Sequence, residues 1–114
     1  MSGNDSQYIQ VQTTVSSEED ARNLARTMLE KRLAACVQIM PCLSMYHWQG
    51  RVEEDTEHLC LMKTRQEFFA KLRATLEKVH AYEVPEIIVL PITDANPAYL
   101  AWLDRELEGG KANG

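Results

Sequence analysis

Glycine and proline are scarce, with five and four in 114 residues, which excludes a fibrous or low-complexity chain. Cysteines number three, Cys36, Cys42 and Cys60. This odd count without C-x-x-C spacing implies neither a disulfide framework nor a zinc ribbon, and a reducing compartment suits it best. Basic residues are outnumbered, 12 Lys and Arg against 17 Asp and Glu, for a net charge of −5. Such a chain has no phosphate-neutralising field, so binding to DNA, RNA or an anionic membrane is not expected. No apolar run has bilayer length, and the polar stretch from Met1 to Gln7 lacks the charged-then-apolar order of a signal peptide, so a cytoplasmic protein is expected. A Gly-rich phosphate loop, a G-x-S-x-G elbow and an H-E-x-x-H pair are all missing, so the expectation is a protein that is not an enzyme.

What is present describes one ordinary domain, 45% apolar and 25% charged, spanning residues 1–114 with a folded core of about 8–108. From Tyr8 to Thr14 the residues alternate, with Ile9, Val11 and Thr13 on one side, which predicts a half-buried strand. The run from Ser16 to Asp20 offers a hydroxyl cap with Glu19 closing a capping box. A helix should follow to about Leu33. Cys36 to Trp48 and Val52 to Lys63 read as two strands joined at Gln49-Gly50. The segment from Thr64 to Glu67 repeats the capping box, and a second helix runs to about His80. The continuous apolar run Ile87 to Leu90 predicts a strand buried on both faces, and Asn96-Pro97 opens a last helix that buries Tyr99, Leu100, Leu103 and Leu107.

The order is βαββαβ with a C-terminal helix, so the fold class is α+β, ferredoxin-like. Strands of the hairpin's length exceed the width of a compact domain. A roughly 14-residue strand reaches about 45 Å, whereas a domain of this size is roughly 35 Å wide, from a radius of gyration near 13 Å. Part of the hairpin should protrude and be covered by symmetric assembly. The alternative is that Pro41 bends the strand back over its own sheet.

Four stretches resemble the CutA divalent-cation-tolerance family: Lys31-Arg32-Leu33-Ala34-Ala35-Cys36-Val37, Ser44-Met45-Tyr46-His47-Trp48-Gln49-Gly50, Tyr82-Glu83-Val84-Pro85-Glu86-Ile87-Ile88 with Leu90-Pro91-Ile92, and Tyr99-Leu100-Ala101-Trp102-Leu103. The resemblance covers Tyr8 to Leu107. It implies a homotrimer whose long hairpins pair between subunits, and an association with copper and other divalent cations. It also places His80 and Glu57 as metal ligands, a pair whose imidazole and carboxylate suit Cu(II) or Zn(II). Where some members carry a metal cysteine, this chain has Thr13, so binding should be weak.

Other groups carry less. His58 and Cys60 share a strand face, but Cys60 lies in an apolar run. Tyr46 and Trp48 alternate on one face as a ligand platform or, preferably, as interface anchors. Lys63 and Arg65 could hold an anion, although solvation is the simpler role. Two further readings stay open: a signalling trimer similar to the nitrogen-regulatory PII proteins, with nucleotide between subunits, and a purely structural interaction module.

Overall fold

A computed structural model describes residues 7–109; the polar residues before Gln7 and the tail beyond Gly109 lie outside the described residues. The chain runs β1 (Tyr8–Val15), α1 (Glu18–Glu30), β2 (Cys36–Trp48), β3 (Arg51–Arg65), a single 3-10 turn (Gln66–Phe68), α2 (Phe69–Val79), β4 (Ile88–Ile92) and α3 (Pro97–Leu107). The sheet order is β2-β3-β1-β4 with every pairing antiparallel, the ferredoxin-like arrangement expected from the element order.

Strand periodicity builds the core. Ile9 and Val11 of β1 and Cys60 and Met62 of β3 project to one face, where they meet Leu24 and Met28 of α1 and Leu72 and Leu76 of α2. Each large side chain buried this way contributes about 1.5–3 kcal/mol. A separate cluster lies where α3 docks: Leu103 and Leu107 pack with Ala35, Tyr8 and Trp102. Tyr8 Oη donates to Asp104 at 3.0 Å, and Arg65 adds an ion pair to the same carboxylate at 2.8 Å.

Cys60 is fully buried, and burial pushes its thiol up to about 11. Iodoacetamide at pH 8 should therefore alkylate Cys60 only after unfolding, as read by peptide mass spectrometry. Native labelling of Cys60 as fast as that of half-buried Cys42 would mean that the core is open.

Local sequence reading fails at four places. α1 is capped by Ser17, whose hydroxyl accepts from the Asp20 N–H at 3.0 Å, not by a box of Ser16 and Glu19. It ends at Glu30, before Leu33, because Arg32 turns left-handed (φ 56°) and its N–H bonds back to the Leu29 carbonyl. Thr64 caps nothing. It lies within β3 opposite Ile9, fully buried, so strand pairing overrides the cap-like sequence and α2 starts without a side-chain cap. β4 is not buried on both faces. It is an edge strand on which Val89, with Ile87 just before it, touches the core while Ile88 and Leu90 stay exposed.

The hairpin protrudes. Gln49 (φ 50°) and Gly50 (φ 79°) form a two-residue turn with both central residues left-handed, the twist that matches paired strands. Pro41 does not fold the strand back. It stays in register opposite His58, tolerated because β2 is an edge strand, just as Pro91 is tolerated in β4 at the opposite edge. The described residues extend 52 × 33 × 22 Å with a radius of gyration of 15.2 Å, above the roughly 13 Å of a compact domain. The arm exposes apolar side chains on both faces, Leu43, Met45 and Val52 on one and Tyr46 and Trp48 on the other. Among the described residues, no helix is long and apolar enough to cross a membrane.

Candidate functional site

The turn after α2 assembles the site. α2 stops where His80 becomes extended (φ −71°, ψ 138°), with its N–H still bonded to the Leu76 carbonyl. Its ring then faces the end of β1. Nδ1 accepts from the Tyr82 backbone N–H at 3.1 Å, so the ring proton sits on Nε2. Nε2 lies 3.0 Å from both the Thr14 carbonyl oxygen and Thr13 Oγ1. Burial holds the imidazole below its usual range, outweighing the opposing pull of the Thr14 carbonyl and of Asp20 and Glu57. His80 is therefore a neutral ring whose two nitrogens are both engaged.

Tyr82 carries the chain of contacts onward. Its ring centroid stands 5.0 Å from that of His80, and its hydroxyl donates to Glu57 Oε2 at 2.6 Å. Burial and this carboxylate raise the phenol above its usual range. Glu57 projects from β3 opposite Cys42 and is only 8% exposed, far from a solvated strand charge. The structure thus joins His80 and Glu57 through Tyr82 instead of aiming both at one point. Among the described residues, no group of three or more His, Cys, Asp or Glu side chains is placed to hold a metal ion. An ion at His80 must displace one of the ring's hydrogen bonds. As a resident centre the pair does not fit a metal, whereas a transient ion could exchange for those bonds.

Glu57 opens onto a groove of about 810 Å³ between the arm and the turn after α2, walled by Tyr46, Trp48 and Tyr82. Tyr46 donates to Asp55, which pushes its phenol up to about 12. Glu53 and Asp55 of β3 and Glu83 and Glu86 of the turn add four more carboxylates to the lining, and among the described residues no Lys or Arg takes part in it.

The remaining candidates separate. Cys60 sits in the core, while His58 Nδ1 is buried without a hydrogen-bond partner among the described residues, and the two form no ligand cluster there. Arg65 is taken by Asp104 and Glu67, and Lys63 donates to Gln38, so neither is a free anion site. Tyr82 and the Tyr46–Asp55 contact were invisible to periodicity. The only sequence signal for Tyr82 is its place in the Tyr82-Glu83-Val84-Pro85-Glu86 stretch, and for Tyr46–Asp55 it is the register set by the Gln49-Gly50 turn.

Comparison with known proteins agrees with this architecture. The chain matches the family described as CutA1 divalent ion tolerance protein over residues 9–106. A divalent-cation tolerance protein CutA of Thermus thermophilus is 53% identical over 91 residues, covering 79% of this chain and 88% of that one. A mouse protein CutA is 41% identical over 102 residues, 89% of this chain but 58% of its own length. Among solved structures, one described as the periplasmic divalent cation tolerance protein CutA from Archaeoglobus fulgidus superposes with a TM-score of 0.85 at 37% identity, covering 88% of this chain and 98% of that one. The match runs from β1 through α3, and the chain belongs to the CutA1 divalent ion tolerance family.

Proposed function

We propose that the protein acts in the cytosol as a homotrimer that binds divalent cations, Cu(II) among them, weakly and without catalysing a reaction. The observation that carries this reading is the arm. Leu43, Met45 and Val52 are each more than 60% exposed in the single chain, and Met40, Ile88 and Leu90 stay open on the sheet. Apolar surface of this extent on a two-stranded ribbon is ordinarily covered by another copy. The cation half of the reading is supported by the names of the relatives and by the donor types of His80 and Glu57. Weak affinity follows from the hydrogen bonds His80 must give up and from the hydroxyl, not thiolate, of Thr13 beside its Nε2. The three unpaired cysteines support the cytosolic placement. A PII-like nucleotide trimer is disfavoured by the five groove carboxylates, which repel phosphate.

Light scattering should give three times the chain mass at micromolar concentration, and a monomer would overturn the assembly. Calorimetric titration should show weak Cu(II) binding that His80→Ala largely removes, while His47→Ala and His58→Ala leave it intact. Proton competition for the imidazole should weaken binding only as pH falls below the ordinary histidine range, because burial holds His80 beneath it. Unchanged affinity in His80→Ala would overturn the cation site.

A further inference from the structure

We propose that residues 81–86 form a strap latched by the His80 ring, and that a cation taken up by either nitrogen of that ring unlatches it. The release rests on the cation reading given above, whereas the latch stands without it.

The strap joins α2 to β4, and among the described residues its positions 81–86 make no backbone-to-backbone hydrogen bond. Side chains hold it instead. The Tyr82 N–H donates to His80 Nδ1 at 3.1 Å, and His80 Nε2 lies 3.0 Å from the Thr14 carbonyl oxygen, which ties the start of the strap to β1. The Tyr82 hydroxyl reaches Glu57 Oε2 at 2.6 Å, and Gln12 Nε2 donates to Glu86 Oε2 at 3.0 Å in an exposed position. There is open space on both sides. A cavity of about 170 Å³ lies between α1 and the start of the strap, bounded on the helix by Asp20, Asn23 and Thr27, and the groove along the arm lies opposite. Val84 is 86% exposed. A segment ordered by so few contacts belongs to the low-stability end of a fold, because each ordered residue must recover its lost conformational entropy.

The chemistry of the ring couples ligation to release. A neutral imidazole carries one in-plane lone pair, and here it is on Nδ1, where the Tyr82 N–H occupies it. A cation at Nδ1 displaces that N–H directly. A cation at Nε2 requires the proton to leave Nε2 and Nδ1 to take one from water, so Nδ1–H then faces the Tyr82 N–H donor to donor. Either route deprives the Tyr82 N–H of its acceptor. The Tyr82 hydroxyl then holds Glu57 from a segment that is no longer fixed, so occupancy of His80 is transmitted to a carboxylate on β3.

Amide hydrogen exchange, read residue by residue by NMR on the full chain in its native assembly, tests both halves, with diamagnetic Zn(II) as the probe. Without metal, and after correction for intrinsic rates, the Tyr82 amide should exchange about tenfold or more slowly than the Val84 amide, which has no acceptor among the described residues. His80→Ala and His80→Phe should each remove that difference while the amides of β1 and α1 keep their protection and circular dichroism stays native. Tyr82→Phe, which loses only the link to Glu57, should retain it. Saturating Zn(II) should abolish the protection in the parent and change nothing in His80→Phe. The proposal is overturned if position 82 stays protected in both His80 variants, which would mean that packing or a neighbouring copy holds the strap, or if Tyr82→Phe frees the amide as fully as they do. Protection that persists while calorimetry shows Zn(II) bound through His80 overturns the release. Absence of Zn(II) binding instead sinks the cation reading together with the release that rests on it, and the metal-free variants decide the latch by themselves.

Discussion

Replacing Leu43, Met45 and Val52 together by serine is expected to leave a folded monomer in place of the proposed trimer. In the single chain these side chains are 63%, 61% and 62% exposed, so they contribute little to the core of their own domain, and surface replacements of this kind cost roughly 0.5 kcal/mol or less. Against a second copy the same side chains would each be worth about 1.5–3 kcal/mol when covered, and threefold symmetry repeats the loss in every subunit. The association constant should therefore fall by orders of magnitude while far-UV circular dichroism stays native. Light scattering across a dilution series reads the outcome. A triple variant that keeps the parent mass would show that this face of the arm is not the interface, leaving the Tyr46 and Trp48 face to be tested in the same way.

Leu103→Ala is expected to be the more damaging change to the fold, lowering stability by about 2–5 kcal/mol, because Leu103 is fully buried in the cluster that seats α3. Asp104→Asn beside it should cost less. Its carboxylate takes the Tyr8 hydroxyl and Arg65, but the paired side chains keep 21% and 31% of their surface in solvent, which screens the charge. Urea unfolding at one fixed protein concentration compares the two, since the proposed assembly would make stability concentration-dependent. If Asp104→Asn proved the worse, and its effect vanished in high salt, α3 would be seated by its ion pair and not by its apolar anchor.

How much of this was legible in the sequence depends on how local the deciding force is. The alternation of Ile9, Val11 and Thr13 reports burial directly, and β1 carries all three inward as expected. The hairpin's strand length against the width of a compact domain pointed to protrusion, and the unbroken register at Pro41 removed the alternative of a strand bent back over its own sheet. Thr64 misled because a hydroxyl three residues before a glutamate looks the same in a cap and in a strand, and only the pairing with Ile9, 55 positions away in sequence by subtraction of the two numbers, decides between them. β4 misled because an apolar run reports the surroundings in the finished protein, and Ile88 and Leu90 lack a cover within one chain. At the site, His80 and Glu57 were picked out by resemblance, whereas Tyr82, the residue that connects them, sits in a turn where no periodicity operates.

The two prolines in the outer strands bear on how the protein behaves when concentrated. Pro41 and Pro91 each remove one donor from an outer rim of the sheet, so neither rim can serve as an unbroken template for adding strand upon strand. An apolar, extended ribbon would otherwise invite fibril growth. With both rims interrupted, the exposed arm offers no continuous edge for fibril growth, which favours the closed assembly proposed above over an open-ended one.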